Sequence, residues 1–331
     1  MLLQSWLAEL SLHSLLLLAA LVLEPLLGEP RGPLAKLPHP VRLIGRLVGL
    51  LNRKLNREDR SEADRRGRGI LAVLFVCLLA ASAGAAGTWL SRHVSFGWLP
   101  ELALMISLLA QRSLFRHVRR VGEALRDGGV EAGRAQVAHI VGRDVRGLDQ
   151  HGVARAAIES CAENFSDAVV APVFWYVLFG LPGMLVYKVI NTMDSMIGYR
   201  SERYLAFCWA AARLDDAVNL LPARLAGLYL AGAAFALPDA DPARGLRTMI
   251  EDAGKHRSPN AGWPEAAMAG ALGLSLAGPR RYPRVIVDDP WIGDGTAQAT
   301  ARDVMRALSL FAAACVINGF AVAALAVARV A

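Results

Sequence analysis

Most signatures of a soluble enzyme are missing from this sequence. There is no G-x-x-x-x-G-K-[ST] loop and no G-x-G-x-x-G turn, so any nucleotide binds outside the usual phosphate cradles. No nucleophile elbow occurs either. The four cysteines, Cys77, Cys161, Cys208 and Cys315, form no CxxC pair and no Cys/His metal spacing. Three of them lie in apolar helical contexts, and the set reads as buried free thiols rather than disulfides or zinc ligands. Aromatic residues make up only 7% of the chain and do not interleave with a basic stripe, so the net charge of +7 does not point to nucleic acid. Internal repeats and low-complexity segments are also absent.

What the sequence does have is apolar length. Over half of its 331 residues are apolar and the mean hydropathy is positive, +0.35. Charges gather between apolar blocks, the pattern of an all-α, polytopic membrane bundle. One integral-membrane domain over 1–331 is expected, with cytoplasmic helical segments at 28–69 and 112–167. Leu10–Leu27 has no basic leader or small-residue cleavage site, so it is expected to stay as a membrane helix. Residues 31–69 hold eleven arginines and lysines, which the positive-inside rule places in the cytoplasm. Within them His39, held extended between two prolines, precedes an amphipathic helix over Val41–Leu55. It either contacts substrate or caps that helix.

Ile70–Leu90 predicts a membrane helix and Trp98–Ala110 a shorter one. Arg112–Gly147 is arginine-rich and amphipathic. Tyr204–Leu214 predicts a short helix followed by Asp215, Asp216 and Asn219, and Ala217–Leu237 a segment of membrane length containing Pro222 and Arg224. An arginine at that depth is costly and usually faces protein or a polar cavity. Ala266–Gly278 is apolar but too short to span, Arg280–Gly295 is irregular, and Met305–Val330 is the last membrane helix.

The chemistry concentrates in Ile158–Arg203. Glu159, Glu163 and Asp167 recur every four residues and share one helical face. Asn191, Asp194 and Ser195 share a face on the following helix. Between the two runs, Ala168–Ile190 is long enough to cross a bilayer, since about 20 residues suffice, yet Gly180-Leu181-Pro182-Gly183 lies near its middle and is turn chemistry. Either the segment spans once with a kink, or it is a hairpin of two short helices. The hairpin is favoured because it gathers the acidic and amide groups. Like charges at helical spacing repel and require something positive. Hard oxygen ligands suit Mg²⁺ carrying a phosphate ester, with Glu159, Glu163, Asp167 and Asp194 as metal ligands. The alternative is a structural ion network with Arg155, Arg200, Arg203 or Arg213. A second cluster is Lys255-His256-Arg257-Ser258-Pro259-Asn260, ahead of Pro264 at the first position of a new helix. A basic loop feeding a helix N-terminus is a natural anion site, and an ordinary exposed turn is the competing reading.

Taken together, Gly28-Glu29-Pro30, LPHPVRLIG (37–45), GRDV (142–145), ESCAENFSDAVVAP (159–172), NTMDSMIGYR (191–200), the LDDAVNLLPARL run (214–225) and KHRSPNAGWPEAAMAGALG (255–273) resemble the CobD/CbiB family of cobalamin biosynthesis. Glu24 and Glu29 stand where that family tends to have Asp. The resemblance implies a multi-pass inner-membrane ligase that joins adenosylcobyric acid to (R)-1-amino-2-propanol O-phosphate, giving adenosylcobinamide phosphate. It implies ATP and Mg²⁺, and an active site on the cytoplasmic side. Glu159, Asn164, Asp167, Asn191, Asp194 and Ser195 are then the catalytic candidates. His39, Arg42, Arg143, Lys255, His256, Arg257, Ser258 and Asn260 are the substrate-binding candidates. Expected partners are the two substrates, the lipid bilayer and other late cobalamin-pathway enzymes, with no nucleic acid. Competing readings are a non-catalytic membrane scaffold for late corrinoid enzymes and a Mg²⁺-dependent membrane enzyme acting on a polyprenyl diphosphate.

Overall fold

The computed structural model describes residues 2–28, 39–57, 59–142, 144–197, 206–281 and 286–330. Among the described residues the fold is all-α apart from two short ladders, with broken helices as expected. Among the described helices three stretches are long and apolar enough to cross a membrane: Glu62–His93, Gln150–Met196 and Ala301–Ala328. A fourth arises if the two helices at Trp209–Val218 and Leu220–Ala236 are one broken span. Contacts divide the chain into two compact units.

The first unit contains residues 1–110, 171–219 and 322–331. Its helices are α1 (Leu2–Leu27), α2 (Pro40–Leu55), α3 (Glu62–His93), α4 (Trp98–Leu108), α7 (Ala171–Ile197) and α8 (Trp209–Val218). Ser61 caps α3, accepting the Asp64 N–H at 3.2 Å, and two acids occupy its first turn where they complement the helix dipole. Trp98–Leu108 is only 11 residues, too short to span. The core lies between Leu17 and Leu21 of α1, Val73 and Val76 of α3, Met105 and Leu108 of α4, and Leu181, Met184 and Met193 of α7. Outward positions of α3 such as Leu71, Leu74 and Leu78 are apolar and exposed, as a lipid-facing helix requires.

The favoured hairpin is present within α7. Gly180 has φ 63° and ψ −154°, a conformation essentially reserved for glycine. Beyond it the chain folds back so far that a Cβ on Gly183 would collide with the Trp175 carbonyl oxygen. Eight residues of uninterrupted helix would separate those residues by about 12 Å. The second arm, Leu181 onward, runs antiparallel to α3. Gly84 meets Pro182 (a Cβ would lie 2.5 Å from its Cα), and Gly69 meets the Phe207 backbone. Small residues let the two backbones approach this closely.

The second unit contains residues 111–170 and 220–321. It holds α5 (Gln111–Val137, broken at Gly129), α6 (Gln150–Phe165), α9 (Leu220–Ala233), α10 (Pro242–Asp252), α11 (Gly262–Leu272) and the first part of α12 (Ala301–Val330). A π-helical turn, Ser166–Val170, follows α6. Alanine-rich α11 is buried along its length, and Gly245 of α10 packs 3.2 Å from the Ala267 carbonyl when given a Cβ. The 280–295 stretch, read from sequence as irregular, contains three short strands of two antiparallel pairs: β1 (Leu276–Ala277), just before the stretch, pairs with β4 (Trp291–Ile292), and β2 (Arg280–Arg281) pairs with β3 (Ile286–Val287). Strands of two residues leave no alternating pattern to read.

Candidate active site

In the first unit, Tyr187, Asn191, Asp194 and Ser195 follow one another at helical spacing on the second arm of α7, and α8 supplies Asp215 and Asp216, with Asn219 as its C-cap. The two helices meet through side chains. Tyr187 Oη donates to Asn219 Oδ1 at 3.0 Å, and Asn219 Nδ2 donates to Asp215 Oδ2 at 3.0 Å. Asn191 Nδ2 approaches the other oxygen, Asp215 Oδ1, at 3.4 Å. One carboxylate is thus oriented by two neutral amides, with a buried tyrosine fixing one of them. Neutral donors position a carboxylate without cancelling its charge.

Asp194, Asp215 and Asp216 are near enough for their charges to act on one another. Asp216 also pairs with Arg213 at 3.6 Å. Burial, then the Asp194 charge, pushes the Cys208 thiol up to about 12, while Arg65 opposes them. Arg65 is itself buried and donates to Asn56 Oδ1 at 2.8 Å. Ser195 is exposed, and its hydroxyl donates to the Asn191 carbonyl at 2.8 Å, an ordinary helical back-bond.

His39 caps α2: its Nδ1 accepts the Val41 N–H at 3.3 Å, which realises the capping alternative. Arg42 is exposed one turn before Gly45, whose built Cβ lies 3.0 Å from Met196 Sδ. The start of α2 therefore lies beside the end of α7 that bears Asp194. Glu29, Arg143, Arg200 and Arg203 lie outside the described residues.

In the second unit the acidic stripe of α6 does not stay on one kind of surface. Glu159 is buried, Glu163 exposed and Asp167 half-buried, the last lying in the π-helical turn. Glu159 Oε1 accepts the Ala277 N–H at 2.9 Å, at a residue with φ 57°. Arg155 donates to the Ala297 carbonyl and lies 5.3 Å from the Trp291 ring, so this face of α6 holds the strand-bearing loop. Asn164 donates to the Ser160 carbonyl at 2.9 Å, and Ser160 Oγ to the Ile140 carbonyl at 2.8 Å. In the GRDV loop, Asp144 accepts Arg146 Nη2 at 2.7 Å, which lowers its carboxyl to about 2.

The basic loop is compact and largely charge-balanced. Lys255 Nζ lies 2.7 Å from Asp252, and Arg257 Nε lies 2.7 Å from Asp289. His256 Nδ1 accepts the Ser258 N–H at 3.0 Å, and its Nε2 lies 3.8 Å from buried Glu265. Ser258 Oγ accepts the amides of Asn260 and Ala261, at 3.2 and 3.3 Å. The backbone donors expected to face an anion thus already have an internal acceptor. Arg224 of α9 stacks 4.3 Å above Trp263 and approaches Asn260 Oδ1 at 3.5 Å, so this intramembrane-length arginine does face protein.

Among the described residues no group of three His, Cys, Asp or Glu side chains forms a ready metal cage. Mg²⁺ does not require one, because it usually keeps several waters and takes one or two carboxylates plus substrate phosphate. The aspartates of the first unit, with Asp215 held by amides, fit that demand. Asp215, Asp216 and Asn219 were not among the sequence-selected site residues. Their signal was the i,i+4 pairing of Asp215 with Asn219, matched by Tyr187 with Asn191 on α7.

The family model described as CobD/Cbib protein matches residues 17–311. The chain belongs to this family. A Sinorhizobium protein named cobalamin biosynthesis protein CobD is 49% identical over 313 residues, covering 93% of this chain and 97% of the relative. Proteins of the same name from Brucella suis and Rhodobacter capsulatus are each 45% identical, covering 88% and 89% of this chain and 90% and 92% of their own lengths. No solved structure matches the chain. Both polar clusters fall inside the region matched by the CobD/CbiB model.

Proposed function

We propose that this membrane protein is a biosynthetic enzyme of the cobalamin pathway that forms an amide. It joins a propionate carboxyl of adenosylcobyric acid to the amine of (R)-1-amino-2-propanol O-phosphate, with ATP and Mg²⁺, and yields adenosylcobinamide phosphate. Family membership and relatives named for cobalamin biosynthesis support the pathway. The observation that carries the chemistry is the amide-clamped Asp215 beside Asp194 and Asp216.

A carboxylate is a poor acyl donor, so its oxygen takes the γ-phosphoryl group of ATP and ADP leaves. The amine nitrogen then attacks the carbonyl carbon, the amide C–N bond forms, and inorganic phosphate departs with the acyl oxygen. Asp194 and Asp215, with Asp216 near, would hold Mg²⁺, and the ion when bound would offset charge on the transferring phosphate. The Asn191 and Asn219 amides keep the Asp215 oxygens aimed while Tyr187 braces Asn219. A carboxylate not engaged in ion binding accepts the proton that the ammonium must lose before attack. Glu159 contributes by holding the 274–297 loop, and Lys255, Arg257, Ser258 and Asn260 by recognising a phosphorylated substrate. Arg42, on the helix that meets the end of α7 bearing Asp194, is assigned to substrate contact, while His39 serves as the cap of that helix. The inner membrane and its cytoplasmic face are the proposed location, because the arginine-rich 31–69 segment marks that side.

The deciding experiment gives purified protein adenosylcobyric acid, the amine phosphate and MgATP. Cobinamide phosphate with one ADP per amide is the expected product. A folded, membrane-inserted protein that makes no amide, or releases AMP, overturns this reading.

A further inference from the structure

A buried cation borders the aspartates of the first unit. Arg65 lies in the first turn of α3 and is buried, which is rare for an arginine. Its Nε donates to Asn56 Oδ1 at 2.8 Å, and Asn56 Nδ2 donates to Asn52 Oδ1 at 3.0 Å. Asn56 is buried too and forms the C-cap of α2. A chain of neutral amides thus sets the plane of the guanidinium, and neither amide carries a charge that would neutralise it.

The surroundings of Arg65 join it to the aspartates. One turn further along α3, Gly69 is pressed so closely on the Phe207 carbonyl that a Cβ there would overlap it. The neighbouring Arg66 lies 3.6 Å from the centre of the Trp209 ring, at the start of α8. Buried Cys208 stands between those two contacts, and its thiol feels the Asp194 carboxylate and the Arg65 guanidinium with opposite sign. Asp215 follows six residues after Trp209, about 9 Å along α8. All of these groups belong to the first unit, whereas Lys255 and Arg257 belong to the second and meet Asp252 and Asp289 there.

A phosphate held beside carboxylates needs positive charge from elsewhere. A guanidinium suits that task, because its planar fork meets two phosphate oxygens at once and it keeps its proton even when buried. In phosphoryl transfer such a group also stabilises the charge that builds on the equatorial oxygens. On the ligase reading above, we propose that Arg65 is a substrate-binding residue of the aspartate site and takes the oxygens of a phosphate group. Two phosphates fit that chemistry: the terminal one of ATP, and that of (R)-1-amino-2-propanol O-phosphate.

Equilibrium binding separates these sources without any turnover. Full-length protein in neutral detergent with Mg²⁺ is titrated calorimetrically with a non-hydrolysable ATP analogue, with ADP and with the amine phosphate. Arg65→Lys keeps the charge but loses the fork, and should weaken one of these ligands roughly tenfold or more, the scale of a lost charge-assisted hydrogen bond. Loss for the ATP analogue with ADP unchanged assigns the terminal phosphate; loss for the amine phosphate alone assigns the other source. Asn56→Asp decides the matter where Arg65→Lys lowers the thermal midpoint. It keeps the acceptor and adds a negative charge that captures the guanidinium, so the same ligand should weaken while the fold is retained. An arginine that only braces α2 against α3 would be held better by that aspartate and would leave all three affinities unchanged. Arg66→Gln removes the adjacent, exposed charge and should alter none of them. Folded variants of Arg65 and Asn56 that bind every ligand like wild type, or lose all three alike, would overturn the assignment of Arg65 and leave the ligase reading standing. Wild-type protein that binds none of the three would overturn both.

Discussion

The aspartate cluster of the first unit and the basic loop of the second both read, from sequence, as sites for charged ligands. The structure treats them differently. Lys255 and Arg257 meet Asp252 and Asp289, and the amides after Ser258 meet its own hydroxyl, so the loop is near balance before any ligand arrives. Asp215 is met by the neutral amides of Asn191 and Asn219 and lies beside Asp194 and Asp216, the last of which pairs with Arg213. Local charge that the fold orients without neutralising is the better pointer to a bound cation. Local charge that the fold has already paired points first to architecture.

The strongest way to break this comparison is Asp215→Ala or Asp194→Ala. Each should lower amide synthesis by at least ~10²-fold, the scale of losing a group that handles charge or protons in the reaction, with membrane insertion retained. Near-normal turnover in either variant would remove the cluster from the chemistry. Asn219→Ala comes next. It frees one Asp215 oxygen and leaves the buried Tyr187 hydroxyl without its acceptor, so stability should fall by about 1–3 kcal/mol. Turnover should fall ~10–100-fold, the usual cost of losing a group that orients a ligand. Asn219→Asp, with an acceptor but one more negative charge, should restore the Tyr187 bond yet not the rate.

The basic loop can be sharpened by cutting each ion pair from both sides. If Arg257 recognises a phosphate, Arg257→Ala should raise one KM by ~10-fold or more, as loss of a charged hydrogen bond worth about 1.5–3 kcal/mol requires. Asp289→Ala should leave that KM unchanged or lower, because it releases the guanidinium. Equal loss of stability in both variants with no change in either KM would make the pair purely architectural.

How much of this could be read beforehand follows from the range of the forces involved. Apolar length and turn chemistry are local, so α3, the break at Gly180 and the amphipathic α2 were legible, as was the hairpin itself from Gly180-Leu181-Pro182-Gly183. Pairing across the fold was not. The i,i+4 stripe of Glu159, Glu163 and Asp167 is real, but nothing local says that Ala277, more than a hundred residues away, will supply the N–H for Glu159. The π-helical turn at Ser166–Val170 shifts Asp167 out of the simple four-residue repeat. Asp215 was visible as part of a motif, yet its role emerges only when Asn191 reaches it from another helix. His39 was legible to the extent that a residue between prolines precedes a helix, and its cap is a two-residue local bond.

The smallest effect concerns the loop that Glu159 holds. Arg244 on α10 donates to Asp294 through Nε at 3.0 Å and Nη2 at 2.6 Å, and this hydrogen bonding keeps the Asp294 carboxyl below its ordinary value. A carboxylate depressed in the folded state stabilises it above the unfolded pKa of about 3.9 and loses that contribution as pH falls through the folded value. The tether should therefore be constant from pH 8 to 5 and weaken only in acid below 4. The group is open to solvent, so screening keeps its contribution slight. Asp294→Asn should consequently leave the thermal midpoint at pH 7 almost unmoved and slightly flatten the acid limb of the stability profile. A large loss at pH 7 would instead mean that this exposed pair, rather than buried Glu159 and half-buried Arg155, holds the loop in place.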